Sequence, residues 1–525
     1  MLKNKMKLSP SIVENDYFCE KDNCLMGIKA KVATILAKRT FKKVNKWANN
    51  AVEVQTKTML KLVDQAANTA FGKDHDFRSI KSYEDFKKNV PLRDYEELKH
   101  YVERVVQGEH NILWPGLPLY FCKTSGTTSG VKYIPISQES MQHHIDAAKN
   151  ALLLYVHETQ RPEFVDGKMI FLQGSPVLDK KGKVPFGRLS GIVANYVPSY
   201  LQKNRLPSYD TNCIEDWEEK LDKIIDETIN EDMRLISGIP PWVQMYFERI
   251  EARTGKEIKD VFPNFNLFVQ GGVNYKPYQP IFEKLVGRRT PTIEVYPASE
   301  GFIAFQDSQS REGLLLNVDA GIFFEFIPLN NFHDENPPRL GLKDVKLDVN
   351  YVIILNTNAG LWGYNIGDTV KFVSLEPFRI VVSGRIKHFI SAFGEHVIGE
   401  EVEKAMIKAC EKTGAEVVEF TVAPQIDGGE SSLPYHEWFV EFGKEPEDKA
   451  VFAKIIDDEM QVLNVYYKDL ITGSILRPLV ISDLKKNAFV DYMKSIGKLG
   501  GQNKVPRLSN DRKIADLLAV FKLSN

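Results

Sequence analysis

What this chain of 525 residues lacks narrows the field before any motif is considered. Its longest apolar runs, such as Ala151 to Val156 and Tyr351 to Leu355, fall far short of the roughly 20 residues a membrane helix needs. No membrane span is expected. Cysteine is scarce: Cys19, Cys24, Cys122, Cys213 and Cys410 are scattered, and only the first two lie close together. Without His or Cys partners at zinc spacing, neither a disulfide framework nor a zinc site is expected. Excess charge is also missing, because 68 basic residues face 70 acidic ones for a net charge of -2. No global field draws the protein to nucleic acid or to an anionic membrane. The opening MLKNKMKLSPSIVEND turns polar with no apolar stretch fit for a signal peptide, so a cytoplasmic location is expected. Internal repeats, low-complexity tracts and linkers rich in Pro, Gly and Ser are absent.

What remains is an ordinary globular composition, 43% hydrophobic and 26% charged. A mean hydropathy of -0.27 agrees. Single cores stop growing near roughly 250 to 300 residues, so at least two domains are expected. Residues 28 to 66 carry spaced apolar residues without proline and read as helix before Gly72. From about Leu119, short apolar runs (LYFC, KMIFLQG) alternate with amphipathic ones (MQHHIDAAKNALLLYVHE, WEEKLDKIIDETINEDM), the rhythm of an α/β domain. GLLLNVDAGIFFEFIPL, NYVIILN and DTVKFVSL then read as strands of an antiparallel or barrel-like subdomain. After Ser383 the rhythm becomes that of a smaller α+β unit: helix near 399–413, strands near 416–424 and 435–442, and a long helix near 447–470. The expected division is therefore 1–383 and 384–525.

Three segments carry chemistry. Lys123-Thr-Ser-Gly-Thr-Thr-Ser-Gly-Val-Lys132 lies between a strand-like and a helix-like run. Gly126 and Gly130 let main-chain N–H groups approach a phosphate, Thr124, Ser125, Thr127, Thr128 and Ser129 add hydroxyls, and Lys132 adds charge. Such a loop suits a triphosphate. It is not a Walker A loop, which needs four residues between its glycines and then Gly-Lys-Ser/Thr. Glu294-Val-Tyr-Pro-Ala-Ser-Glu-Gly-Phe302 sets Tyr296, Ala298, Ser299 and Glu300 around a turn. Taken alone, Tyr296 also reads as core and Glu300 as a solvated charge, but Glu300 suits Mg²⁺, which binds one or two carboxylates with phosphate oxygens and water. Gly363-Tyr-Asn-Ile-Gly-Asp368 ends on a turn carboxylate able to accept two ribose hydroxyls, or equally to form an Asx turn. Cys122 borders the first segment with no His near it in sequence, and reads as a buried strand residue.

In this order the segments resemble the adenylate-forming superfamily of acyl-CoA synthetases, peptide-synthetase adenylation domains and luciferases. More narrowly, TSGTTSGVKYIP, VYPASEG, FFEFIPL, YNIGD, GRIKHFISAFGEHV and QNKVPR resemble the auxin-responsive acyl acid amido synthetases, from Thr124 to Arg507. The resemblance implies two half-reactions: ATP and a carboxylic acid give an acyl-adenylate, and an amino acid then takes the acyl group as an amide. ATP and Mg²⁺ are implied as the small-molecule requirements, with no tightly bound organic cofactor. Thr124 to Gly130 are expected to hold phosphates, Tyr296 to Glu300 adenine and Mg²⁺, Asp368 the ribose, and Arg385 ribose or phosphate. Lys504 in QNKVPR is expected at the α-phosphate, with Lys387 in Gly384-Arg-Ile-Lys387 as the hinge of a mobile C-terminal domain. Ser190 and Gly191 in Gly187-Arg-Leu-Ser-Gly191, with Gly271 and Gly272, are the expected acyl neighbourhood. Two positions depart from the family pattern. Asn365 stands where plant members carry arginine, and Gln270-Gly-Gly272 replaces a Gly-Ser pair. The same ATP-binding pieces serve acyl-CoA and other thioester-forming ligases, which differ in the second acceptor.

Overall fold

A computed structural model describes residues 27–523 apart from 126–130, 197–202, 277, 387–388, 391, 394, 396, 427–432, 473–474 and 501–502. Its frame is one sheet of eleven strands. The strands Lys168–Phe171, Met233–Ser237, Leu267–Gly271 and Thr292–Ala298 lie side by side and parallel. Helices cover them, because the intervening stretches carry the 3.6-residue periodicity of Trp217–Thr228 and Pro240–Thr254. The first helix starts on Asp216, whose carboxylate accepts the Glu219 N–H at 2.8 Å.

The antiparallel strands expected between Leu314 and Leu375 continue this same sheet. Gly301–Phe305 folds back on Thr292–Ala298, Leu314–Leu316 follows, and Phe378–Arg385, Tyr364–Leu375, Asn350–Thr357 and Ile322–Pro328 extend the sheet to its edge. No described pairing closes these strands into a ring. Ile322–Pro328 is buried on both faces, which explains its unbroken apolar character. Its one charge, Glu325, is wholly buried and fully used. It accepts from Arg339 at 2.9 and 2.7 Å, from the Tyr83 hydroxyl at 3.0 Å and from Asn356 at 3.0 Å.

The helices Ile28–Ala48 and Gln138–Thr159 pack on this frame through Ala37, Val44, Trp47, Ala147, Ala151 and Leu154. A four-stranded sheet that includes Tyr120–Ser125 and Val131–Ile136 packs beside it. Among the described residues no helix is long and apolar enough to cross a membrane.

Beyond Arg385 a three-stranded sheet, Glu416–Gln425, Tyr435–Lys444 and Val480–Leu484, carries its own core around Phe420, Trp438, Phe452 and Met460. The helix expected near 399–413 is Gly399–Thr413. The long helix expected near 447–470 is instead two, Lys449–Leu463 and Val465–Thr472. Asn464 divides them: its backbone is extended, and its side-chain oxygen caps the second helix by accepting the Tyr467 N–H at 2.8 Å.

The Glu325 cluster ties Tyr83 and, through Arg339, the carbonyl of Val90 to the antiparallel strands. Glu325→Ala leaves the Arg339 guanidinium buried without its carboxylate, a loss of about 3 to 5 kcal/mol. Denaturant unfolding is expected to show that loss. A change smaller than about 1 kcal/mol contradicts the role given to this cluster.

Candidate active site

Each chemical segment is set by a local rule of the backbone. The register Ala298 opposite Gly301 leaves Ser299 and Glu300 as a two-residue hairpin turn. Gly301 lets Ile322 pack closely, since a Cβ there would lie 2.4 Å from Ile322 Cδ1 and the isoleucine would have to shift. Where Tyr364–Leu375 pairs with Phe378–Arg385, Asp368 stands opposite Arg385. The Asx turn in this stretch belongs to Asn365, whose Oδ1 accepts the Gly367 N–H at 2.8 Å, and Gly367 takes φ +86°. Asn365 therefore has a turn-forming job of its own. Asp368 is left for other partners.

Those partners join the segments. The Tyr296 hydroxyl donates to Asp368 Oδ2 at 2.6 Å, and Arg385 Nε donates to Asp368 Oδ1 at 2.6 Å. Cys122 Sγ, on the strand that leads into the hydroxyl-rich loop, donates to Ser299 Oγ at 3.0 Å. That contact sets the strand Tyr120–Ser125 against the Ser299–Glu300 turn. Cys122 is buried, and burial pushes its thiol up to about 12, so it is no thiolate nucleophile. Thr124 and Ser125 pair in register with Lys132 and Val131. Lys132 holds its ammonium 5.4 Å from the Tyr95 ring centre. Gly126, Thr127, Thr128, Ser129 and Gly130, together with Lys387, lie outside the described residues.

The C-terminal unit contributes the last cation. Lys504 reaches across to donate to the Gly272 carbonyl. Gly272 takes φ +86°, and a Cβ there would stand 2.8 Å from the Lys504 ammonium. The same face carries further polar contacts, unforeseen in the sequence. Asn274 donates to Glu403 at 2.7 Å, the Tyr278 hydroxyl donates to Glu419 at 2.9 Å, and Arg507 bonds Glu403, Glu419 and Tyr278. Arg507 ends the same QNKVPR run as Lys504, which is the one signal that could have drawn attention to it.

The electrostatics follow from this crowding. Loss of hydration raises the Glu300 carboxyl; its own N–H opposes, Asp368 adds to the rise, and Arg385 and Lys132 pull back. Tyr296 is held well above its usual range by burial and by Asp368. Asp368 raises Arg385. Lys504 is pushed down to about 8, first by loss of hydration and then by repulsion from Arg385, against the pull of Asp368. A half-buried carboxylate raised in this way is a group that a divalent cation relieves, so Glu300 fits Mg²⁺. Arg385 and Lys132 act on Glu300, and Arg385 acts on Lys504, so three cations from different segments gather here, a charge that fits phosphate.

Two of the glycines expected near an acyl group have packing reasons. A Cβ on Gly191 would lie 2.2 Å from the Ser175 carbonyl oxygen, and one on Gly271 would lie 2.2 Å from that of Val295. Ser190 Oγ accepts the Gly174 N–H at 3.2 Å.

Comparison with known proteins identifies the family and the fold. Residues 40–212 match the GH3 family N-terminal domain, 315–385 the central domain and 400–513 the C-terminal domain. The chain belongs to the GH3 family. Over 565 residues it is 22% identical to the indole-3-acetic acid-amido synthetase GH3.3 of Arabidopsis thaliana, covering 90% of this chain and 92% of that one. Over 393 residues it is 21% identical to the jasmonoyl–L-amino acid synthetase JAR4 of Nicotiana attenuata, covering 61% and 67%. Its fold matches the GH3.15 acyl acid amido synthetase in complex with 2,4-DB at a TM-score of 0.77 and 17% identity, over 94% and 97% of the two chains. A 2-hydroxyisobutyryl-CoA ligase in its postadenylation state matches at 0.53 and 12%, over 92% and 91%.

In this GH3 chain Lys504 reports on its neighbours. Reductive ¹³C-methylation followed by NMR titration is expected to place it near 8, well below the ordinary lysine value of about 10.4. Arg385→Gln removes a repulsion and moves the midpoint up, whereas Asp368→Asn removes an attraction and moves it down. Movement of both in one direction contradicts the arrangement.

Proposed function

We propose that this GH3 protein is an ATP-dependent acyl acid amido synthetase. The observation that carries the reading is the continuous chain Tyr296–Asp368–Arg385, whose charges act on Glu300 and on Lys504 from the C-terminal unit. In the first half-reaction the acid's carboxylate attacks the α-phosphorus of ATP, a P–O bond breaks, and pyrophosphate leaves. In the second, an amino acid's amine attacks the acyl carbon, the C–O bond to AMP breaks, and the amine gives up a proton. Amido synthetases among the relatives support the amino-acid acceptor.

The residues divide this work by chemistry. Asp368 offers carboxylate oxygens to ribose hydroxyls, and the Tyr296 ring borders the adenine side with Ala298 and Ser299. Thr124 to Gly130, with Lys132, surround the β- and γ-phosphates. Glu300 holds Mg²⁺, which neutralises phosphate charge when bound. Arg385 and Lys504 face the α-phosphate, where negative charge builds as pyrophosphate departs. Ser190, Gly191, Gly271 and Gly272 border the acyl group. Residues 384–525 form the part that moves between half-reactions, hinged at Lys387. ATP and amino acids are both cytoplasmic metabolites, which supports a cytoplasmic site of action.

The test is pyrophosphate release screened over carboxylic acids, with mass analysis of the products. Release is expected to require ATP, Mg²⁺ and an acid. Glu300→Ala and Asp368→Ala are each expected to lower it about ten- to a hundredfold, the worth of one charged hydrogen-bond partner. The product with mixed amino acids is expected to be an amide. A CoA thioester formed in preference to any amide moves the protein to the thioester-forming ligases, and wild-type rates in both variants remove the site.

A further inference from the structure

The stretch that follows the strand Leu267–Gly271 receives the C-terminal unit twice. Gly272 accepts from Lys504, and shortly after it Asn274 and Tyr278 meet a cluster made of C-terminal side chains. Glu403 comes from the helix Gly399–Thr413, Glu419 from the strand Glu416–Gln425, and Arg507 from the run that also carries Lys504. All three are largely buried.

The cluster divides its bonds in a regular way. Glu403 gives one oxygen to Arg507 Nε at 3.0 Å and the other to the Asn274 amide at 2.7 Å. Glu419 gives one oxygen to Arg507 and the other to the Tyr278 hydroxyl at 2.9 Å. Each carboxylate therefore spends one oxygen inside its own unit and one across the seam. On the proposed reading that the unit moves, Arg507 travels with both carboxylates, so no ion pair of the cluster has to break. What is given up is two hydrogen bonds from uncharged donors, with the 3.2 Å contact between Arg507 and the Tyr278 hydroxyl. Bonds of that kind are modest in strength but exacting in geometry.

The run that carries Lys504 is fixed to the same strand as Glu419. The Val422 N–H donates to the Arg507 carbonyl at 2.9 Å, the Ser509 N–H to the Val422 carbonyl at 2.9 Å, and the Thr421 hydroxyl to the Pro506 carbonyl at 2.7 Å. Lys504 lies three residues before Arg507, so the seat of the cluster decides where its ammonium arrives. Lys494–Glu218 and Lys284–Glu416 also cross the seam, but they are exposed and add little. Lys371–Glu400 ties the unit to a different strand, Tyr364–Leu375.

We propose that Asn274 and Tyr278 are positioning residues for adenylation: they register the C-terminal unit through Glu403 and Glu419, and so bring Lys504 to the α-phosphate. The proposal rests on the amido synthetase reading.

The experiment measures both half-reactions in single turnover, together with the Lys504 titration midpoint, in Asn274→Ala, Tyr278→Phe and the double variant, with thermal unfolding alongside. Adenylation is expected to fall about two- to tenfold in each single variant, the worth of one uncharged hydrogen bond, and further in the double. Transfer from a supplied acyl-adenylate is expected to keep the wild-type rate. The Lys504 midpoint is expected to rise toward the ordinary value of about 10.4 as the ammonium loses its seat. An exchange separates positioning from damage. Asn274→Asp sets a like charge against Glu403 and is expected to slow adenylation more than Asn274→Ala does. Adding Glu403→Gln, whose amide donates to the new carboxylate, is expected to restore part of the rate. Undiminished adenylation in a folded double variant, an equal loss in both half-reactions, an unmoved Lys504 midpoint or no restoration on exchange overturns the proposal and leaves the functional reading standing. A wild type that releases no pyrophosphate with any acid overturns that reading, and the positioning role with it.

Discussion

The Asp368 carboxylate is the point at which distant parts of this chain are held to one another. One oxygen accepts from Tyr296 at the end of the parallel strands, and the other accepts from Arg385 at the end of the antiparallel ones. Both oxygens are used, so neither residue can move without exposing an unpaired group in a poorly hydrated place. The charge pattern follows. Glu300 is raised partly by the nearness of Asp368, and Lys504 is lowered partly by the nearness of Arg385. On the proposed reading, a polyanionic nucleotide would relieve the mutual repulsion of these cations, and a divalent cation would do the same for Glu300.

The contact between the C-terminal unit and the rest is polar where it matters for this site. Arg507, Glu403 and Glu419 meet Asn274 and Tyr278, and Lys494 meets Glu218 at 2.9 Å. Lys371 and Glu400 pair at 2.7 Å. The largely buried charges among these, Arg507 with Glu403 and Glu419 and Lys371 with Glu400, define an orientation more than they add stability, while the exposed Lys494–Glu218 pair adds little. On the proposed reading that residues 384–525 move between half-reactions, a polar seam suits them, since interfaces within a chain that separate are more polar than permanent ones. The contacts of Arg507 and the reach of Lys504 come from one short run, so whatever shifts that run alters the cation and the seam together.

Much of the site was legible in the sequence, for definite reasons. Turn chemistry marked Ser299–Glu300 and Asp368, and apolar periodicity placed Gly399–Thr413 to the residue. Asn365, noted as a departure, is the residue that makes the turn. The pairings were not legible. Nothing local to Tyr296 points to Asp368, and nothing local to Lys504 points to Gly272, because these contacts are products of topology. The strands read as an antiparallel or barrel-like subdomain, and they are antiparallel; that they continue the parallel sheet was hidden because pattern reports which faces are buried but not which neighbour a strand takes. The long helix divided at Asn464 for a related reason: periodicity runs through a residue whose side chain caps from within. Gly191 and Gly271 illustrate the converse, since a glycine near a site signals close approach without saying whether ligand or backbone approaches.

The central claim is that Lys504, seated against Gly272 and beside Arg385 and Asp368, acts on the α-phosphate in the first half-reaction alone. Single-turnover assay of both half-reactions in Lys504→Ala tests it most directly. Adenylation is expected to fall about a hundred- to a thousandfold, the worth of one preorganised donor at developing charge. Transfer from a supplied acyl-adenylate to an amino acid is expected to keep the wild-type rate. Normal adenylation, or an equal loss in both half-reactions, contradicts the claim.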